Sequence, residues 1–259
     1  MRKIEGAITA AVLAVLSGCQ SPRAVETKEV VPAAAPAAAP VSADPLIAGF
    51  EKTTVASVSD AVDQVTGKRG YMSQDMRAYV GARFVGRAVT ALVRPSRKEE
   101  STPARAIQHS VQMIDEAKPG EVGIIVMEKG LDIAALGGLM GTAAKARGMA
   151  GMVLDGSVRD IAELRALGLP VFARGASPAT AVGRFLSAAR NVPVQCAGVA
   201  VKPGDVIVAG EDGVVVVPSE SAEAVLKRAR EIDERETKMV PHIQEHKSLR
   251  KAIEVFNRI

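Results

Sequence analysis

The chain has 259 residues, of which 47% are hydrophobic, 24% are charged and only 3% are aromatic, and its formal net charge is +4 at pH 7. This composition is ordinary for a soluble globular protein, and the length is ample for a single large core. The modest, dispersed charge and the few aromatic side chains argue against a nucleic-acid partner, because such surfaces need basic clusters or stacking platforms.

The N-terminus predicts an export signal. Two basic residues at positions 2 and 3 precede an apolar stretch, residues 7–16, that is too short to span a membrane, and Leu-Ser-Gly-Cys19 follows directly. The arrangement resembles a bacterial lipoprotein signal. The resemblance implies that residues 1–18 are removed and that the Cys19 thiol is lipidated, which would anchor the protein in the cell envelope facing the periplasm. Gln20, directly after the cysteine, favours sorting to the outer membrane. The alternative to a lipoprotein signal is an ordinary signal peptide with an incidental cysteine.

The next segment predicts a tether. Residues 19–44 include the run VPAAAPAAAP, which has little to bury and favours an extended, partly polyproline conformation. Residues 45–259 are therefore expected to form one globular domain with C-terminal helices.

Apolar periodicity across this domain predicts an α/β fold. Helices are expected at 47–50, 57–65 and 102–116, and strands at 86–93, 122–127, 151–154, 171–173, 199–201, 206–209 and 213–217. Residues 180–189 remain unassigned, and Asp155-Gly156 is expected to form a turn. A helix is expected to start at Ser219 and to break at Pro241, before a last amphipathic helix that carries Leu249, Ile253 and Phe256.

Two helix starts form the most informative segment. Apolar residues recur at near-helical spacing behind Gly137-Gly138, so a helix is expected to begin there and to stop at Gly148. The first N–H groups of a helix lack intrahelical partners and attract carboxylate or phosphate oxygens, and the two glycines permit close approach.

A second helix is expected to begin at Arg159-Asp160 and to end at Gly168. Both helices follow apolar strands, and ligands of α/β sheets gather at the carboxyl ends of strands. The pattern therefore indicates one site for an anionic ligand and a cation. The alternative is that Asp160 is a first-turn acid and that Arg159 and Glu163 form an i,i+4 pair on a solvated face.

The pattern Gly138-x20-Arg159-Asp160-x2-Glu163 resembles the RraA-like family, which includes 4-hydroxy-4-methyl-2-oxoglutarate / 4-carboxy-4-hydroxy-2-oxoadipate aldolases and regulators of ribonuclease activity. The resemblance extends from about Pro45 onward through the segments VSDA (58–61), GRAVT (86–90), KPGEV (118–122), LPVFARG (169–175) and VKPGDV (201–206). It implies a β/β/α-layered, swivel-like domain that assembles as a homotrimer, or as a hexamer, with active sites between subunits.

The resemblance also implies residue roles. In the aldolases the turn that matches Gly137, Gly138, Leu139 and Met140 binds the substrate carboxylate through backbone N–H groups. The arginine matching Arg159 contacts the oxo acid and stabilises an enolate, and the acid matching Asp160 holds the metal. Glu163 is expected to orient Arg159 or a metal-bound water. A further glutamate comes from the neighbouring subunit, for which Glu234 and Glu236 are the candidates, and the alternative for both is a charged solvated helix face.

The expected chemistry is release of pyruvate from a 4-hydroxy-2-oxo dicarboxylic or tricarboxylic acid by a class II, metal-dependent aldolase. The same pyruvate enolate arises when oxaloacetate is decarboxylated, so oxaloacetate decarboxylase activity is a second expectation. A hard cation, Mg²⁺ or Mn²⁺, suits an oxygen-rich site and stabilises the enolate as a Lewis acid.

Two departures qualify this expectation. Gly138 stands where aldolases of the family often carry an acid, and Gly210 replaces an aspartate that is common before Asp212-Gly213. Asp160, which the ribonuclease regulators typically lack, favours an enzyme over the alternative, a non-catalytic binding or regulatory protein of the cell envelope.

Residues 194–197 are expected to form a strand, and Cys196 within it is expected to be a buried structural thiol. His242 and His246, at i,i+4 spacing, are expected to be a solvated helix pair, with metal binding as the alternative.

Overall fold

One long strand, β2, joins the two halves of the sheet in a computed structural model that describes residues 44–257. The predicted signal peptide of residues 1–18, the predicted lipidation site Cys19 and the predicted tether up to residue 43 lie outside the described residues. The helices are α1 (Pro45–Phe50), α2 (Val55–Thr66), α3 (Pro103–Glu116), α4 (Gly138–Ala146), α5 (Ile161–Leu167), α6 (Ala222–His246) and α7 (Leu249–Phe256), with a 3₁₀ turn at Ser219–Ser221.

The strands alternate with these helices along the chain. They are β1 (Arg77–Val80), β2 (Phe84–Pro95), β3 (Val122–Met127), β4 (Ala134–Leu136), β5 (Gly151–Val158), β6 (Val171–Ala176), β7 (Phe185–Arg190), β8 (Val194–Cys196), β9 (Val199–Val201), β10 (Val206–Gly210) and β11 (Gly213–Val217). The predicted α/β class is confirmed. Among residues 44–257, none of the helices has the length and apolar character needed to span a bilayer.

The main sheet is mixed and nearly closes on itself. Its order is β1-β6-β5-β3-β2-β10-β11, with β4 paired to β5 and β7 paired to β2. The first half of β2 pairs antiparallel with β10, and its second half pairs parallel with β3. Tyr71 bridges to Val215 on β11 just before the chain enters β1, which pairs with β6 at the opposite edge. The segment before β1 therefore links the two edges of the sheet.

Three apolar clusters form the core. One lies between the parallel strands and the helices α3, α4 and α5, and a second lies inside the curved sheet, where the β8-β9 hairpin packs. The third joins α1, α2 and α6 to β10 and β11. Burying both faces of β3 explains its uninterrupted apolar run, which is typical of parallel strands covered on two sides.

Strands β1 and β7 were not predicted, and β4 was expected only as an apolar strand of unstated bounds before Gly137. Strand β7, FLSAAR, overlaps the stretch 180–189 that the sequence analysis left unassigned. It lacks the β-branched residues that favour strands, but it pairs with the end of β2. Strand β4 has only three residues, and its pairing with β5 is a contact that local sequence does not report.

The turn expected at Asp155-Gly156 is wrong, because β5 continues to Val158. The Asp155 carboxylate is satisfied within the strand by Arg174 and by the Ala197 N–H, so its burial does not end the strand. Gly156 permits close packing, since a Cβ there would lie 2.8 Å from Met127 Cγ.

The helix break expected at Pro241 is also wrong. Helix α6 runs from Ala222 to His246 with Pro241 inside it. Proline lacks the N–H that would reach the carbonyl four residues earlier, and its ring crowds that carbonyl. Pro241 is exposed, so water can satisfy the carbonyl. Packing of α7 against α6 supports the helix beyond this point.

Candidate functional site

The two helix starts meet because their preceding strands are neighbours. Strand β4 pairs parallel with β5, with Leu136 opposite Val158, and the Arg159 N–H donates to the Leu136 carbonyl at 3.0 Å. Gly137 therefore leaves β4 beside the point where Arg159 leaves β5. The site lies at the carboxyl ends of two parallel strands.

The first turn of α4 provides the backbone donors. Its first intrahelical hydrogen bond runs from the Gly141 N–H to the Gly137 carbonyl at 2.9 Å, so the three preceding N–H groups have no intrahelical acceptor. The Gly138 N–H donates instead to Asp160 Oδ2 at 2.9 Å. The N–H groups of Leu139 and Met140 are therefore the two donors of this turn that remain for a ligand.

Asp160 holds an unusual backbone conformation. It occupies the N-cap position of α5 with φ 55° and ψ 39°, in the left-handed region that Asp tolerates better than most residues. Its side chain does not cap its own helix and turns to α4, where it accepts the Gly138 N–H across 22 residues of sequence. The left-handed residue thus directs a carboxylate from one helix start to the other.

Arg159 and Asp160 form a loose pair that stays accessible to solvent. The distance from Arg159 Nε to Asp160 Oδ2 is 3.7 Å, and the two side chains are 42% and 40% exposed. Within residues 44–257, the ion pair of Arg159 is with Asp160 and not with Glu163, so the i,i+4 pair considered above is not formed. Both charged groups remain available to a ligand.

The glycine pair is tightly surrounded by these side chains. A Cβ built on Gly137 would lie 2.7 Å from Asp160 Oδ2 and 2.9 Å from Arg159 Nε. A Cβ on Gly138 would overlap with Glu163 Oε2. The carboxylates of Asp160 and Glu163 therefore converge over Gly138, and the space of a side chain at that position is already filled by a carboxylate.

The donor set fits a hard divalent cation. Two carboxylates and one guanidinium surround the start of α4, and oxygen ligands are those that Mg²⁺ and Mn²⁺ prefer. In the described part of the chain, no group of three or more His, Cys, Asp or Glu side chains is arranged to hold a metal ion. A cation here would thus take most of its ligands from water, substrate or a second subunit.

The acids on α6 lie elsewhere in this chain. Helix α6 packs against α1 and α2, whereas the site lies between α4 and α5. Glu234 lines a groove beside Leu46, and neither it nor Glu236 is among the nearest atoms to Gly137 or Gly138. A contribution from either acid requires a neighbouring subunit.

A second charged cluster was missed by sequence reasoning. Arg174 on β6 contacts Asp75 at 2.7 Å and Asp155 at 3.0 Å, and the second Asp155 oxygen accepts the Ala197 N–H at 2.7 Å. The hydrogen bonds from Arg174 and Ser73 lower the pKa of Asp75. The charged residues inside the otherwise apolar strands β5 and β6 were the sequence signal that could have revealed this cluster. Through the Ala197 N–H, the cluster binds the β8-β9 hairpin to the sheet.

Cys196 lies beside this cluster and is fully buried, as predicted. Burial raises the pKa of its thiol well above the usual range, and the neighbouring Asp155 carboxylate acts in the same direction. A thiol in this state is an inert part of the core.

Comparison with known proteins gives a consistent result. A sequence profile described as RraA-like, Aldolase/RraA, matches residues 55–216. A protein of Halalkalibacterium halodurans, provisionally named a 4-hydroxy-4-methyl-2-oxoglutarate aldolase, is 36% identical over 155 residues, which are 55% of this chain and 71% of the relative. A protein of Deinococcus radiodurans with the same provisional name is 38% identical over 141 residues, which are 54% of this chain and 80% of the relative.

Two solved structures have similar folds. An uncharacterised protein of Pseudomonas syringae matches with a TM-score of 0.70 and 30% identity, over 80% of this chain and 96% of its own. RraAS2 of Streptomyces coelicolor, described as an unusual member of the RNase ES inhibitor RraA protein family, matches with a TM-score of 0.66 and 28% identity, over 74% of this chain and 93% of its own.

Proposed function

This chain belongs to the RraA-like family, and on that basis we propose that it is a divalent-metal-dependent lyase that releases pyruvate from a 4-hydroxy-2-oxo acid of the 4-hydroxy-4-methyl-2-oxoglutarate type. The names of its relatives support a lyase at the level of the family. The observation that carries the proposal is the convergence of the Asp160 and Glu163 carboxylates and the Arg159 guanidinium on the first turn of α4.

The backbone of α4 supplies the anion site in this proposal. The N–H groups of Leu139 and Met140 would bind the carboxylate next to the 2-oxo group, aided by the positive end of the α4 dipole. Gly137 and Gly138 keep side chains away from the entry to this turn. The Gly138 N–H serves a different purpose, because it orients the Asp160 carboxylate.

Asp160 would hold the cation, and Glu163 would supply the second carboxylate in the space where the aldolases often carry an acid at the position of Gly138. When bound, Mg²⁺ or Mn²⁺ would supply Lewis-acid stabilisation of the negative charge that develops on the substrate. The Asp160 and Glu163 carboxylates, both oxygen ligands and both beside Gly138, support this choice of metal.

The bond-breaking step needs a base and a group that stabilises the enolate. A water ordered by Glu163 would take the proton of the 4-hydroxyl, and the electron pair left on that oxygen would form the carbonyl of the second product at carbon 4. The bond between carbons 3 and 4 would break, and its electron pair would form the pyruvate enolate. The Arg159 guanidinium would stabilise the negative charge on the enolate oxygen before a proton is returned to carbon 3. Loss of CO₂ from oxaloacetate leaves the same enolate, which is the reason to expect decarboxylase activity as well.

The proposed assembly is a homotrimer, or a hexamer of two trimers. Leu139 is 91% exposed although it lies at the centre of the site, and an apolar side chain in that position supports a subunit contact there. Glu234 or Glu236 of a neighbouring subunit would then complete the site. We also propose that Cys19 is lipidated and that the lipid holds the domain at the outer membrane, facing the periplasm.

A non-catalytic binding or regulatory protein of the cell envelope is the second candidate. Two observations favour it: the likeness to RraAS2, whose description places it in a family of ribonuclease inhibitors, and the lack of an acid at Gly138. Such a protein would keep the fold and bind an oxo acid without turning it over.

Pyruvate release distinguishes the two candidates. The purified protein is assayed with 4-hydroxy-4-methyl-2-oxoglutarate and with oxaloacetate, with Mg²⁺, with Mn²⁺ and with a chelator. Asp160→Asn keeps an acceptor for the Gly138 N–H and removes the charge, so we expect kcat/KM to fall at least about 100-fold. Arg159→Lys keeps a positive charge but removes the planar guanidinium, and a fall of about 10-fold or more is expected. Turnover that is indifferent to the chelator and to Asp160→Asn would refute the lyase proposal.

A further inference from the structure

The C-terminal helices carry a pair of histidines that the proposed catalytic site does not use. His242 and His246 lie in the last two turns of α6, beyond residues 55–216 that define the family match. Their ring centroids are 4.4 Å apart, and the ring planes are inclined by 73°. Spacing of four residues places both imidazoles on the same face of the helix.

Helix α7 holds one of the two rings in place. The Phe256 ring packs against His242 with a centroid distance of 5.8 Å and an inclination of 79°. The Ser248 hydroxyl caps α7 by accepting the Lys251 N–H, and only two residues separate the end of α6 from the start of α7. The short connection and the ring contact restrict His242 before any ligand binds.

The position of the pair at the end of α6 favours a cation. His246 is the last residue of α6, where unsatisfied carbonyl groups and the negative end of the helix dipole attract positive charge. Imidazole nitrogens suit Zn²⁺, Cu²⁺ and Ni²⁺, whereas Mg²⁺ and Mn²⁺ prefer oxygen ligands.

We propose that His242 and His246 form a two-imidazole site for a transition-metal ion of the Zn²⁺, Cu²⁺ or Ni²⁺ class, separate from the site at Asp160. Water fills the remaining coordination positions, because the described residues hold no group of three or more His, Cys, Asp or Glu side chains suited to a metal. Binding at this position strengthens the last turns of α6, and through the contact of His242 with Phe256 it strengthens the packing of α7.

Titration with Cu²⁺ and Zn²⁺ tests the site directly. The protein is prepared without a histidine tag, and metal binding is followed by calorimetry and, for Cu²⁺, by electron paramagnetic resonance. The wild type is expected to bind one Cu²⁺ with the signature of two nitrogen ligands. His242→Asn or His246→Asn is expected to weaken binding at least about 10-fold, because one ligand no longer raises the effective concentration of the other.

His109→Asn is the matched control, since His109 is the third histidine of the chain and lies on α3. It is expected to leave the affinity unchanged. Circular dichroism checks that each variant is folded, and Zn²⁺ should raise the melting temperature of the wild type but not of the double variant His242→Asn/His246→Asn. Unchanged Cu²⁺ affinity in the double variant, or a loss of affinity in His109→Asn alone, would overturn the proposal. Lyase activity with Mg²⁺ is expected to be unaffected in all of these variants, so this site and the catalytic proposal fail independently.

Discussion

The carboxylate of Glu163 lies in the space that a side chain at Gly138 would occupy. A Cβ added to Gly138 would overlap with Glu163 Oε2, although the two residues belong to different helices. The absence of an acid at position 138 is therefore accompanied by a carboxylate that reaches the same place from α5. The small residue at position 138 leaves the room that the Glu163 carboxylate occupies.

Exchange of the carboxylate between the two positions provides a prediction. Glu163→Gln and Glu163→Ala both remove the charge and are expected to lower kcat for pyruvate release about 10-fold or more. Gly138→Asp in the Glu163→Ala background, in which the space beside Gly138 is vacated, is expected to restore much of it. An acid in the first turn of α4 is also compatible with the helix dipole. Steady-state kinetics of the single and double variants give the measurement.

Gly138→Asn in the same Glu163→Ala background is the control for volume without charge, and it is expected to give no recovery. Full activity of Glu163→Gln would show that this carboxylate is a solvated surface acid with no part in the reaction.

The left-handed backbone of Asp160 provides a second prediction, on stability. Asp160→Ala places a residue poorly suited to φ 55° at this position and removes the acceptor of the Gly138 N–H, so the free energy of unfolding is expected to fall by about 1–2 kcal/mol. Asp160→Gly should recover part of that loss, because glycine adopts this conformation freely. Urea denaturation of the three proteins checks the order, and equal stability of the alanine and glycine variants would contradict it.

The Asp75–Arg174 pair predicts a loss of stability in acid. Because the folded-state pKa of Asp75 is lowered, its contribution is complete above the unfolded-state value of about 3.9 and disappears as the pH falls through the lower folded-state value. The melting temperature is thus expected to fall below about pH 4. Asp75→Asn, which cannot ionise, should be less stable at neutral pH and show a smaller change over this range, and a parallel acid profile of the two proteins would exclude the assignment.

Pro241 predicts that α6 is weakened near its end. Pro241→Ala restores the N–H that donates to the Thr237 carbonyl, and it is expected to stabilise the last turns by up to about 3 kcal/mol. Hydrogen exchange of residues 237–246 should slow accordingly. Pro103→Ala is the control, because proline in the first turn of α3 sacrifices no helix hydrogen bond and its replacement should bring no such gain. Unchanged exchange in Pro241→Ala would indicate that the turns beyond the proline are held mainly by α7.

Much of the fold was predictable from local pattern. The parallel strands β3 and β5 appear as apolar runs, and α4 and α5 end at glycines, Gly148 and Gly168, that adopt positive φ. The same local rules were wrong at Asp155 and Pro241. There, contacts from distant residues satisfied a polar strand residue and supported a helix through a proline.

The sequence alone determined the class of the domain, the two helix starts and the residue types at them, because periodicity, helix-ending glycines and charge are local properties of the chain. Only the tertiary structure decided how these groups meet. The pairing of β4 with β5 brings Gly138 beside Asp160. As a result, the Gly138 N–H donates to the Asp160 carboxylate, and the Glu163 carboxylate lies over the glycine. Those distances depend on contacts more than twenty residues apart in sequence, and no local propensity encodes them.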